Sequence, residues 1–102
     1  MARPKYPWPL SLIMSPYVLD DGSEVWPSGR EQFSYLSPDR RRMNIVVANP
    51  ETDNGREFLV IAKSINRFTD GTEASPQERE RVRHVLEEYF RSTKSRFRFV
   101  DQ

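Results

Sequence analysis

Ser75-Pro76-Gln77-Glu78, followed by Arg79-Glu80-Arg81-Val82-Arg83-His84-Val85-Leu86-Glu87-Glu88-Tyr89-Phe90, is the stretch that decides the fold. Its first four residues spell a capping box with proline at the first helical position: Ser75 can accept an amide proton from the first turn, and Glu78 can reach back to the Ser75 amide. The spacing predicts a helix from Pro76 to about Thr93. Val82, Val85, Leu86, Tyr89 and Phe90 recur at intervals of three and four, which gathers them on one stripe. Burying such side chains stabilises by about 1.5–3 kcal/mol each, so the stripe must lie on an apolar partner.

Outward from the helix, the chain supplies that partner as strands. Towards the N-terminus, Arg56 to Ile65 holds Phe58-Leu59-Val60-Ile61-Ala62, apolar on both parities, which predicts a central strand covered at least partly on each face. Arg41 to Asn49 alternates Met43, Ile45 and Val47 with Arg42 and Asn44, the period of two that marks a half-buried strand. Arg30 to Leu36 reads as a further strand with Phe33 and Tyr35 on one face, joined by a turn at Ser37-Pro38-Asp39-Arg40. Asp20-Asp21-Gly22-Ser23 signals a hairpin between Ser11–Leu19, broken near Pro16, and Glu24–Pro27. Pro50 to Gly55 reads as a polar loop. After the helix, Ser95 to Val100 predicts a last strand, with Phe97 and Phe99 alternating with Arg96 and Arg98.

The fold class expected is therefore α+β: a curled antiparallel sheet of about five to six strands, in meander order, packed on one C-terminal helix and followed by a last short strand. Residues 10–102 form one domain. Residues 1–9, with Pro4, Pro7 and Pro9 beside Tyr6 and Trp8, read as an extended Pro-rich tail. At 102 residues one core is the expectation, and a modest apolar fraction of 36% makes that core depend on its aromatics.

Composition narrows the function. With no cysteine, disulfides, zinc thiolate clusters and a cysteine nucleophile are excluded. Sixteen basic against fifteen acidic residues give +1, without the basic excess of a dedicated nucleic-acid binder. The apolar run Leu10–Met14 is far shorter than the roughly 20 residues of a spanning helix. Cytoplasmic localisation and no membrane partner are the expectations.

The single histidine, His84, falls on the polar face of the helix and is expected to be solvated. Asp20-Asp21, Glu51 to Asp53 and Asp70 to Glu73 all lie in predicted turns, where aspartate serves the backbone, and none has the ligand pattern of a calcium loop. There is no Gly-x-Ser-x-Gly elbow and no phosphate-binding glycine loop. No enzyme activity, metal or cofactor is expected. Two basic features remain. If Arg40-Arg41-Arg42 and the strand carrying Arg96 and Arg98 were neighbours, their arginines could form a stripe beside aromatics suited to nucleic acid. Otherwise Phe97 and Phe99 face the helix and the arginines solvate the far side, which is the preferred reading.

The order of parts, with Ser64-Ile65-Asn66-Arg67-Phe68 at the end of the apolar strand, resembles the immunity protein 74 family of bacterial polymorphic-toxin systems. The resemblance covers roughly residues 22–100, with Phe68 where that family carries tryptophan. It implies a bacterial or phage-borne inhibitor that occludes a partner protein, possessing anchors rather than a reaction centre; no functional residue is transferred. Candidate partner-binding residues are Tyr17, Trp26, Arg40, Arg41 and Arg42, together with Tyr6 and Trp8. Tyr17 and Trp26 could equally complete the core. The rival expectations are a nucleic-acid-associated domain using Arg40, Arg41, Arg42, Arg96 and Arg98, and a small structural or assembly subunit.

Overall fold

The computed structural model describes residues 16–53 and 55–101. In chain order the elements are β1 (Tyr17–Val18), β2 (Glu24–Gly29), β3 (Gln32–Leu36), β4 (Arg42–Ala48), β5 (Glu51–Thr52), β6 (Gly55–Arg56), β7 (Phe58–Ile61), a 3-10 turn (Ala62–Ser64), α1 (Pro76–Ser92) and β8 (Phe97–Val100). Six strands form one curled sheet in the order β1-β2-β3-β4-β7-β8, and α1 packs against its inner face. The expected α+β architecture is present.

Pairing is antiparallel from β1 through β7, and the last pair, β7 with β8, is parallel. The sheet is thus mixed rather than wholly antiparallel. The cause is the helix itself: the chain leaves β7, crosses the inner face as α1 and returns beside β7 in the same direction, as a βαβ crossover requires. The segment expected to be a polar loop, Pro50 to Gly55, includes β5 and forms with β6 a separate two-stranded hairpin. The run expected to extend to Ile65 stops at Ile61 and turns through the 3-10 segment. Of the expected first strand, Tyr17–Val18 is paired with β2; Ser11–Ser15 lie outside the described residues, as do the 1–9 tail with Tyr6 and Trp8, and Asn54.

Local chemistry explains the joints. Ser75 Oγ accepts from the Glu78 amide at 3.1 Å, and Glu78 Oε1 accepts from the Ser75 amide at 2.8 Å, so the capping box forms in full. At the first hairpin Gly22 sits at φ +93°, a conformation open to glycine, while Asp21 Oδ1 accepts from the Ser23 amide at 2.9 Å. Arg40 takes φ +69° in the turn before β4, where a side chain is unfavourable.

The core lies between the sheet's inner face and α1. Val25, Phe33, Tyr35, Met43, Ile45, Val47 and Val60 meet Val82, Val85, Leu86 and Phe90, with Ile65, Phe68 and Ala74 closing one end. Phe90 is fully buried, and its ring lies 4.8 Å from Phe58, 5.1 Å from Phe97 and 5.6 Å from Phe33. That aromatic cluster fills the part of the interior around Phe90, beside a core otherwise lined mainly by aliphatic side chains. The Ser64–Phe68 motif belongs to this scaffold. Ser64 Oγ accepts from the Val46 amide at 2.9 Å and donates to the Ile61 carbonyl at 2.7 Å, while Ile65 and Phe68 are buried.

Candidate functional site: the outer face of the sheet

Alternation along β2, β3 and β4 sends one set of side chains to the core and the other to the outer face. The register sets Trp26 opposite Ser34 and Ser34 opposite Asn44, and beside that row it sets Glu24, Leu36 and Arg42 side by side. Ser34 is small, so side chains from the flanking strands close over it and leave it fully buried on the outward side. Its hydroxyl lies 2.8 Å from Ser28 Oγ and 3.0 Å from Asn44 Oδ1, and it accepts from Arg42 Nη2 at 2.9 Å. Gln32 Nε2 donates to Ser28 Oγ at 3.0 Å.

Arg42 is fixed by this network. Its Nε donates to Asn44 Oδ1 at 3.2 Å, and its guanidinium carbon sits 5.6 Å from the centre of the Trp26 ring, within cation–π range. Two of the five guanidinium N–H groups are used in these bonds, which leaves three for a ligand. Among the described residues no carboxylate lies within ion-pair distance of Arg42. The site is an exposed cation, held in place by its bonds to Ser34 and Asn44, beside a half-buried aromatic ring on a surface also bearing Leu36.

The other candidates part company. Arg40 reaches back to outer-face Glu24 at 2.9 Å and so flanks the site. Arg41 turns to the opposite side, where it pairs with Asp39 at 3.1 Å and with Glu78, and lies 4.2 Å over the Phe68 ring. Tyr17 leaves the site altogether: its ring meets Tyr89 of α1 edge-on at 6.0 Å. The core reading of Tyr17 therefore holds, whereas Trp26 lies on the outer face and outside the buried cluster.

The arginine stripe does not form. β7 lies between β4 and β8, and Arg98 shares its cross-strand row with Leu59 and Ala48, at the far end of β4 from Arg42. By strand spacing and rise the two guanidinium-bearing positions are about 20 Å apart. Arg98 Nε pairs with Glu57 at 3.3 Å, and Arg96 bonds the Thr52 hydroxyl and the Arg56 carbonyl, each at 3.2 Å.

Away from this face a concavity of about 340 Å³ lies between β1, the Asp20-Asp21 turn and α1, lined in part by Arg81, His84 and Glu88. Arg81 pairs there with Asp21. Slight burial pushes the Asp21 carboxyl up, but bonds from Ser23 and the neighbouring Arg81 hold it below the ordinary carboxylate value. His84 Nε2 is 3.7 Å from Glu88 Oε1, an i,i+4 contact on a half-exposed side chain. Among the described residues no group of three or more histidine and acidic side chains could hold a metal ion. No helix of the described chain is long and apolar enough to cross a membrane.

Compared with known proteins, the chain matches no family model, no curated protein and no solved structure. The site must be judged on its own chemistry. Sequence reasoning missed Ser28, Ser34 and Asn44, since only cross-strand register reveals that they hold Arg42. The one local signal was a small polar residue, Ser34, set between Phe33 and Tyr35 in a central strand.

Proposed function

We propose that this chain is a non-catalytic protein-binding module, an inhibitor or immunity-type protein that acts by covering a surface of its partner. The observation that carries the reading is the Arg42–Trp26 pair, held by Ser34 and Asn44 and without a carboxylate in ion-pair distance among the described residues. Arginine and tryptophan dominate binding energy in protein interfaces, and a side chain already held in place loses little freedom on contact. The partner surface that fits presents a carboxylate to the three remaining guanidinium donors and an apolar group to Trp26 and Leu36. The Arg40–Glu24 pair gives the rim charges of both signs, which favours orientation over indiscriminate attraction.

The resemblance noted above supports a bacterial or phage origin, and a chain without cysteine fits a cytoplasmic setting. A nucleic-acid function draws less support, because Arg40 and Arg41 each already bind a carboxylate and the basic groups of β4 and β8 lie apart.

The test is co-expression with the product of the adjacent gene, followed by purification and mass determination. A 1:1 complex that survives Arg91→Ala and fails with Trp26→Ala or Arg42→Ala is the expected result. Failure of the wild-type chain to retain the neighbour's product, together with salt-sensitive retention of DNA or RNA, would overturn the reading.

A further inference from the structure

We propose that the free edge of β8 takes up an extended acidic segment of a partner as a seventh strand of the sheet. Among the described residues β8 ends the sheet order, and its only strand partner is β7. The Phe58 amide donates to the Arg96 carbonyl at 2.9 Å, and the parallel register pairs Phe58 with Phe97 and Val60 with Phe99. In that pattern the backbone groups of Arg96, Arg98 and Val100 turn to β7, and those of Phe97 and Phe99 turn to the open side. Two N–H and two C=O groups are thus presented along a strand with neither proline nor bulge, which is the template for strand addition.

Charge selects the occupant. On the outer face Arg98 binds Glu57 through Nε alone at 3.3 Å and is largely exposed, so its two terminal nitrogens are available. On the helix side Arg83 lies 4.4 Å over the Phe99 ring, with no carboxylate in ion-pair distance among the described residues. Adjacent residues of an added strand point to opposite faces. A neighbouring pair of acidic residues placed beside Arg98 and Phe99 therefore reaches Arg98 with one carboxylate and Arg83 with the other. A second copy of this chain fits poorly, because antiparallel self-pairing centred on Phe97 or Arg98 would set Arg98 opposite Arg96 or another Arg98 and add like charges across the new ladder, and neither these registers nor one centred on Phe99 offers it a carboxylate. This edge is separated from the Arg42 face by β7, so either surface can fail without the other.

The experiment uses the full chain, isotopically labelled, and two peptides of about eight residues built from Thr and Val, one with a central Glu-Glu pair and one with Lys-Lys. The expected result is rapid exchange of the Phe97 and Phe99 amides in the free protein, followed by saturable shifts of those amides with the Glu-Glu peptide only. Arg98→Gln and Arg83→Gln should each weaken that binding by up to about fivefold, as exposed ion pairs do. Several results would overturn the proposal: no shift at about 1 mM peptide, equal response to both peptides, or slow exchange of the two amides in the free monomer. Concentration-dependent shifts without peptide would also overturn it, assigning the edge to a second copy.

Discussion

Arg41, just before β4, bonds Glu78 at the head of α1, the same carboxylate that accepts the Ser75 amide proton. One side chain therefore closes the helix N-terminus and ties it to the sheet, across 37 positions of sequence. The helix is set in place by this bond at one end and by Phe90 towards the other.

Removing the cap should register directly. Ser75→Ala deprives the Glu78 amide of its acceptor and is expected to lower stability by about 1 kcal/mol. Urea unfolding followed by circular dichroism measures it; an unchanged midpoint would mean that the cap contributes nothing.

Acid should loosen the same joint. The Ser75 amide and Arg41 hold the Glu78 carboxyl below its ordinary value of 4.5, and Ser37 and Arg41 hold Asp39 below 3.8. Asp70 is lowered likewise by bonds from Thr72. A carboxyl lowered on folding stabilises above its unfolded pKa, and that contribution is lost as pH falls through the folded one. Melting temperature should therefore fall with pH from the ordinary carboxylate range downward. Glu78→Gln is expected to flatten that fall; superimposable acid profiles would contradict the assignment.

Phe90 carries the aromatic core. Phe90→Ala is expected to cost about 3–5 kcal/mol, since the ring is fully buried among Phe33, Phe58, Tyr89 and Phe97. Val46→Thr, on the exposed face, should stay within about 0.5 kcal/mol. Equal losses in urea titrations of the two variants would place the core wrongly.

Arg40 holds a left-handed backbone conformation at a cost of about 1–2 kcal/mol, and its exposed ion pair with Glu24 returns less than that. Arg40→Gly is therefore expected to raise the melting temperature, and a clear drop would show that the pair outweighs the strain.

Much of this fold is legible in local sequence because its signals are local. The capping box, the Val82–Phe90 stripe and the alternation of Met43, Ile45 and Val47 each follow from residues a few positions apart. Strand order is set by the path of the chain through space. Nothing near Phe97 states that it will lie parallel to Phe58, and nothing near Arg40–Arg42 states that β7 will part them from Arg96 and Arg98. The site was half visible for the same reason. Trp26 and Arg42 stand out by type, whereas Ser34 and Asn44 gain their role only when register brings three strands together.

The most direct measurement is calorimetric titration of the isolated partner against the wild-type chain, Trp26→Ala and Arg42→Ala, with melting curves confirming that the variants stay folded. Each substitution is expected to weaken binding by about thirtyfold or more, the loss of about 2 kcal/mol that marks an interface anchor. Affinities within twofold of wild type for both variants, with a large loss instead at a helix-face variant such as Arg91→Ala, would contradict an outer-face binding site.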